Sequence, residues 1–269
     1  MSEFRDEAAP RIQRSDPYLP LARKALEDLF DARPNDVFFS RQLEVRFEGR
    51  FYHWITNRAL RDLARSGFLK VERRELASQG IIHVYWHHRA RYVSRAVARL
   101  VKLVSEYASY ATAEGLGRQG EWMVMEAFAR HQFVQRGRET NQYAGRRWTD
   151  SDHDLDFIYE RDGVAYGVEV KNTLGYTERK ELQIKVGICQ RLGVRPLMVC
   201  RMLPWDWVHK DITSAGGFAL LLKWQLYDWA RADLARRVRE ELGLPVDTPG
   251  RLHDGTMQRF VDWHEHQRV

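Results

Sequence analysis

Nowhere in the 269 residues is there a run approaching the roughly 18 uncharged apolar residues that a membrane-spanning helix needs. The opening MSEFRDEAAPRIQR lacks the apolar core of a secretory signal, so we expect a cytoplasmic protein with no membrane partner. Cysteine is nearly absent. Cys189 and Cys200 are too few for a disulfide framework or a cysteine-based zinc site, and both read as reduced, buried thiols. Proline (8) and glycine (18) are scarce, which excludes collagen-like and low-complexity chains. With 44% hydrophobic and 30% charged residues, the chain has enough apolar material for one large domain or two modest ones.

Charge is unevenly spread. The net charge of +6 comes entirely from residues 1–110, which hold 20 basic and 14 acidic side chains; residues 111–269 hold 23 of each. A basic module joined to a neutral one suits a polyanion-binding part and a part with another task.

The polar stretch 1–17 reads as a mobile leader. Leu21, Ala22, Ala25, Leu26 and Leu29 form one helical stripe, and a second short helix follows Ser40 with Leu43, Val45 and Phe47 as its apolar content. A third helix, His53–Ser66, sets Ile55, Ala59, Leu60 and Leu63 on one side and Trp54, Asn57, Arg58, Arg61 and Arg65 on the other. Gly67 ends it. Phe68–Arg73 and Ile81–Trp86 then read as two strands around a flexible tip. The phrase ITNRALRDLARSGFLKV, Ile55–Val71, resembles the recognition helix and first wing strand of winged-helix DNA-binding proteins over about residues 18–88. The resemblance implies three helices and a two-stranded wing. Independently, a helix with arginines every three or four residues fits a major groove. His53, Thr56, Asn57, Arg58, Arg61 and Arg65 are the expected contacts, with Arg73 and Arg74 on the backbone from the wing. Residues 89–112 read as a connector helix whose ridge Arg91, Arg95, Arg99 and Lys102 either extends a DNA footprint or keeps the helix soluble. Gly115 and Gly117 then break the helix, and a second domain spans 113–269.

The richest segment is Asp152–Lys171. Asp162-Gly163 between two alternating runs predicts a two-residue hairpin, which opposes residues whose numbers sum to 325. Asp156 then lies opposite Glu169 and Asp154 opposite Lys171, all four on one face. Leu155, Phe157, Tyr159, Tyr166, Val168 and Val170 fill the other face, each contributing roughly 1.5–3 kcal/mol when fully buried. Two facing carboxylates repel unless a cation lies between them, and oxygen donors suit a hard ion such as Mg²⁺, for which Mn²⁺ substitutes. A lysine two residues on adds a charge that orients water or stabilises a phosphoryl transition state.

Asp156, twelve intervening residues and Glu169-Val-Lys171 resemble the signature of the PD-(D/E)xK, or restriction-endonuclease-like, nuclease superfamily. The likeness covers about residues 112–225. It extends to Gly117-Arg-Gln-Gly-Glu121, which is similar to the helix that carries a further glutamate there. The resemblance implies an α/β fold, a mixed sheet flanked by helices, divalent metal and hydrolysis of DNA or RNA. By it, Asp156 and Glu169 are metal ligands, the Val170 carbonyl adds an oxygen, Glu121 assists and Lys171 positions water. No proline precedes Asp156, as in many members. Asp154 is the alternative ligand. Lys180–Leu192 and Pro196–Cys200 read as the crossover helix and next strand; by the resemblance Gln183, Lys185 and Gln190 are candidates to face the site, with a solvated helix face as the preferred reading. His264 and His266 are a candidate metal-binding pair or, more simply, part of a polar terminal helix, and Trp205, Trp207, Trp224 and Trp229 read as core or interface anchors.

The combined expectation is a metal-dependent DNA endonuclease held on duplex or branched DNA by a winged helix, with a role in restriction, mobile elements or repair. Its domain order is similar to Mrr-type restriction enzymes, whose usual Gln-x-Lys is Glu169-Val-Lys171 here. The alternatives are a DNA-binding regulator or structural subunit that keeps the fold without turnover, and an RNA-directed nuclease, which a major-groove helix disfavours. Because one site cuts one strand, a double-strand break calls for a homodimer or two nicks. A partner ATPase or another complex subunit is compatible with the sequence.

Overall fold

A computed structural model describes residues 16–77, 80–112 and 115–267; the expected leader up to residue 15, the wing-tip residues Ser78 and Gln79, and residues 113–114 of the expected helix break lie outside the described residues. The chain is mixed α/β, as expected. It divides into two compact units, Met1–Glu72 with His83–Val93, and Arg73–Ile82 with Ser94–Val269.

The chain begins with α1 (Leu19–Ala32), β1 (Val37–Phe39), α2 (Ser40–Phe47) and α3 (His53–Arg65) of the first unit, followed by β2 (Leu69–Glu75) and β3 (Ile81–His87), whose far ends, within Arg73–Ile82, are counted with the second unit. The i, i+4 row Ala22, Leu26 and Phe30 is what α1 buries. Leu21, expected in that stripe, is exposed because it sits about 100° around the helix from Ala22. These side chains meet Leu43, Ile55, Ala59, Leu60 and Leu63 in one core. Glycine at positive φ, Gly67 at +79°, ends α3 as expected. The unexpected β1 pairs antiparallel with β3, Phe38 opposite Tyr85, giving the order β1-β3-β2.

The second unit contains α4 (Ser94–Thr112) and α5 (Gly115–Arg130), then β4 (Val134–Thr140), β5 (Gln142–Tyr143), β6 (Arg146–Arg147), β7 (Leu155–Arg161) and β8 (Val164–Lys171). After these come α6 (Arg179–Leu192), β9 (Arg195–Cys200) and a helical stretch that opens with α7 (Trp205–Trp207). The remaining elements are β10 (Phe218–Leu221), β11 (Gln225–Leu226), α8 (Ala232–Leu242), β12 (Val246–Asp247) and α9 (Asp254–His266). The main sheet has the order β10-β9-β8-β7-β4, with β8, β9 and β10 parallel and β7 and β4 antiparallel to their neighbours. The crossover from β8 through α6 to β9 is the expected one.

The hairpin forms on Asp162 and Gly163, both at positive φ (52° and 76°) as a two-residue turn of the favoured hand requires. Paired residues run from Arg161–Val164 to Phe157–Val168, each pair summing to 325. Phe157, Tyr159, Tyr166, Val168 and Val170 pack with Met123, Phe128 and Phe260 of α5 and α9. Leu155 does not join them: beyond Phe157 the regular pairing ends, and Leu155 packs with Ile158, Ile188 and Cys189 under α6.

Two glycines set how closely helices approach β8. A Cβ on Gly167 would stand 2.6 Å from Cys189 Sγ, and one on Gly120 2.5 Å from Asn172 Cβ. Thus α6 and α5 close on the strand near its C-terminal end, where Glu169 and Lys171 lie. α4 ends at Thr112 and Gly115 is the first residue of α5, so Gly117 falls in the first turn of that helix, and Glu121 is in its interior instead of just before its start. His264 is fully buried, its Nδ1 2.6 Å from the Tyr166 hydroxyl, so α9 is a core helix and not a polar tail. Trp205, Trp224 and Trp229 are exposed rather than buried anchors. Both cysteines are free and buried, which pushes their thiols up to about 12.

Candidate active site

Glu169 sits on the β8 face covered by α6 and is only 3% exposed. An isolated carboxylate at that depth would be strongly penalised. Two lysines compensate it: Lys171 Nζ lies 2.9 Å from Glu169 Oε1, and Lys185 Nζ lies 2.8 Å from Glu169 Oε2. Lys171 also pairs with Glu181 at 2.8 Å, while Lys185 donates to the Asp154 carbonyl at 2.7 Å. The result is a chain of alternating charge, Glu181–Lys171–Glu169–Lys185, running from partly exposed to buried surroundings. Burial opposes the charge on Lys171, but Glu169 and Glu181 hold its pKa above the ordinary lysine range.

Asp156 lies just past the last regular ladder pair. Its Oδ2 accepts the Val170 N–H at 2.6 Å, so the side chain reaches across to β8. Burial first, and then the nearby Glu169 carboxylate, push Asp156 up to about 7. The two acids are thus brought together as expected. Asp154 is not opposite Lys171: it precedes β7, its side chain is half exposed, and its neighbour is Lys185. The physical reason is the same loss of regular pairing that redirects Leu155.

Lys185 was expected on a solvated face, yet it is buried and belongs to the site. The signal lay in α6, where Lys185 falls one helical turn before Cys189, the residue that meets Gly167. Gln183 instead donates to Asp211, and Gln190 is exposed. Glu121 does not join the two acids. It takes a hydrogen bond from Arg138 at 3.2 Å, and the Arg138 guanidinium stands over Phe157, on the opposite face from Glu169. Among the described residues no group of three or more His, Cys, Asp or Glu is placed to hold a metal ion. Asn172, absent from the sequence-based set, fixes the end of β8: its amide donates to the Leu116 and Leu226 carbonyls at 2.7 and 2.6 Å and accepts the Leu226 N–H at 2.7 Å.

In the first unit, α3 exposes Arg61 and Arg65 and leaves Arg58 half-buried. Thr56 is 1% exposed, because its position shares the buried side with Ile55, Ala59 and Leu60, so it is removed from the expected contact face. Asn57 donates to Glu44 at 2.8 Å, Arg65 pairs with Asp62, and Arg73 pairs with Glu75 in the wing. His53 is half-buried, and burial lowers its pKa. Arg74 is exposed on β2. Tyr52 and Trp54, stacked at 4.4 Å and both exposed, present a flat aromatic surface at the start of α3 that the contact set had left out.

Comparison with known proteins adds no relative: no family model, no curated protein and no solved structure matches the chain. No helix among the described residues is long and apolar enough to cross a membrane.

Proposed function

We propose that this chain is a divalent-metal-dependent deoxyribonuclease of the PD-(D/E)xK kind, with a winged-helix unit that holds duplex DNA. The observation that carries the reading is the meeting of Asp156 and Glu169 at one end of the hairpin, with the Lys171 ammonium 2.9 Å from Glu169. Two oxygen-donor side chains, one of them pushed up to about 7 first by burial and then by the charge of the other, fit a hard cation, which would offset both. Asp156, Glu169 and the Val170 carbonyl would hold it; Glu121, tied to Arg138, stays outside. Such an ion supplies an acidified water and charge compensation to phosphodiester hydrolysis.

The chain's own residues have separate tasks. Lys171, kept cationic by Glu169 and Glu181, orients the attacking water and stabilises charge on the phosphoryl oxygens. Lys185 supplies a counter-charge to Glu169 in its buried position. Arg58, Arg61 and Arg65 on α3, with Arg73 and Arg74 on the wing, meet the phosphate backbone and base edges. A second reading, a DNA-binding regulator with a nuclease-like scaffold, is favoured by the two lysines already on Glu169 and by the separate engagement of Glu121.

The test incubates the protein with supercoiled, linear and branched DNA in Mg²⁺, Mn²⁺ or EDTA, with Glu169→Ala in parallel. Cutting that needs metal and vanishes in the variant is expected. Tight binding with no cutting under any of these conditions selects the regulator.

A further inference from the structure

A second concave site lies on the same end of the second unit's sheet. A cavity of about 270 Å³ opens beyond β10, with Trp224, Leu226 and Pro249 on its apolar side and Lys223, Arg251 and Arg259 among its lining. The carboxylate of Asp247 also lines it, but Arg239 holds that group at 3.1 Å. Lys223 makes no ion pair among the described residues, and Arg251 is shared with Asp254 at 3.0 Å. Trp224 is 40% exposed, a large ring the fold leaves in contact with solvent. The first-turn N–H of Gly255 on α9 is taken by His253, so attraction for an anion here comes from the cationic side chains.

The cavity is placed by strand register. Lys171 pairs with Cys200, and Cys200 pairs with Leu221, so the three stand in one row across β8, β9 and β10. Two strand spacings put β10 about 10 Å from β8. Leu222, the next residue, lines the cavity and donates to the Cys200 carbonyl at 2.7 Å. Asn172, which follows Lys171, grips Leu226 of the cavity wall through two hydrogen bonds, donating to its carbonyl and accepting its N–H, and the Gln225 side chain donates to the Asn172 carbonyl. The cavity and Lys171 therefore lie at the same end of the sheet, the cavity on the side covered by α9 and Lys171 with Glu169 on the side covered by α6. Strand ends of this kind are where ligands of parallel sheets collect.

A flat, half-exposed indole beside three cations, in a space far too small for a double helix, matches one unstacked nucleotide: the π-face of a base on the ring, the phosphates on the guanidinium and ammonium groups. We propose that this cavity holds a single nucleotide of a single-stranded segment, with its base against Trp224 and its phosphates at Lys223, Arg251 and Arg259. The proposal deepens the nuclease reading and rests on it for purpose, since a strand held there lies at the end of the sheet that carries Lys171. The binding itself needs neither metal nor turnover.

The test uses the full chain in EDTA and measures fluorescence anisotropy of a labelled oligothymidylate and of a labelled duplex. Trp224→Ala is expected to weaken single-strand binding roughly 5- to 150-fold, with duplex affinity unchanged and Trp224→Phe restoring most of the loss. Arg259→Ala is expected to lower the salt slope of single-strand binding by about 0.7. Free thymidine monophosphate at the oligonucleotide's concentration should leave the complex intact. Unchanged single-strand affinity in Trp224→Ala, an equal loss on duplex, or displacement by the free nucleotide overturns the proposal. Single-strand binding that depends on Trp224 without any cleavage by the wild type upholds the cavity and removes the nuclease reading; metal-dependent cleavage beside single-strand binding indifferent to Trp224 does the reverse.

Discussion

On the hairpin face that meets α5 and α9, Phe157, Tyr159, Tyr166 and Val168 are buried against aliphatic and aromatic side chains; on the face that meets α6, Glu169 is buried to a similar depth between two lysines. The same strand thus carries two kinds of interior. The apolar face is stabilised by surface removed from water and accommodates a polar group, His264, only with hydrogen-bond partners. The α6 face includes a charge, and such a site is stable only while its counter-charges remain. That contrast, more than the motif itself, is what separates a structural hairpin from a candidate catalytic one.

The largest expected effect comes from the apolar face. Phe157→Ala should cost about 3–5 kcal/mol in urea unfolding, with its cavity under α5 as the cause. On the other face, Lys185→Met should cost about 3 kcal/mol by leaving the Glu169 carboxylate short of a cation, and Glu169→Gln in the same background should recover part of it. Recovery is the sharper observation, because simple loss of packing would not be repaired by removing the charge.

Asp156 gives a pH signature confined to that second face. Its folded-state pKa of about 7 lies above the unfolded carboxylate value, so the folded protein keeps a proton that the unfolded chain gives up. The associated stability is present below about pH 4 and is lost as pH rises through about 7, by no more than about 4 kcal/mol. Thermal melts in EDTA should show this decline, and Asp156→Asn should flatten it. A wild-type profile that rises between pH 5 and 8 in step with the variant would contradict the placement of Asp156 beside Glu169.

Much of this contrast was legible in the sequence. Asp162-Gly163 determines the turn, the turn determines the register, and the register brings Asp156 toward Glu169. The crossover through α6 followed from the resemblance, in which a helix and a further strand come after the Glu-x-Lys strand. Other parts were not. Lys185 looked like a surface lysine because helical spacing says which residues share a side but not which side a charged neighbour elsewhere will claim. Leu155 and Asp154 departed from strict alternation because pairing ends at Phe157, a local event that period-two reasoning cannot locate. Glu121 had the right order along the chain, but Arg138 on β4 captures it, a contact between residues whose strand partner was unspecified. His264 read as polar because its partners, Tyr166 and Asp162, are about a hundred residues away in the chain.

The smallest expected effect concerns the first unit. Arg61→Ala, an exposed change on α3, should leave the melting temperature unaltered and reduce the salt slope of duplex binding by about 1.

The most direct test of the central claim measures duplex binding in EDTA and cleavage in Mg²⁺ for two variants side by side, Lys171→Ala and the double variant Arg58→Ala with Arg61→Ala. Loss of cleavage with near-normal affinity in the first, and weakened, less salt-dependent binding in the second, is the result expected if chemistry and DNA binding reside where we assign them. Equal loss of binding in both variants, or cleavage that survives Lys171→Ala, would contradict the assignment.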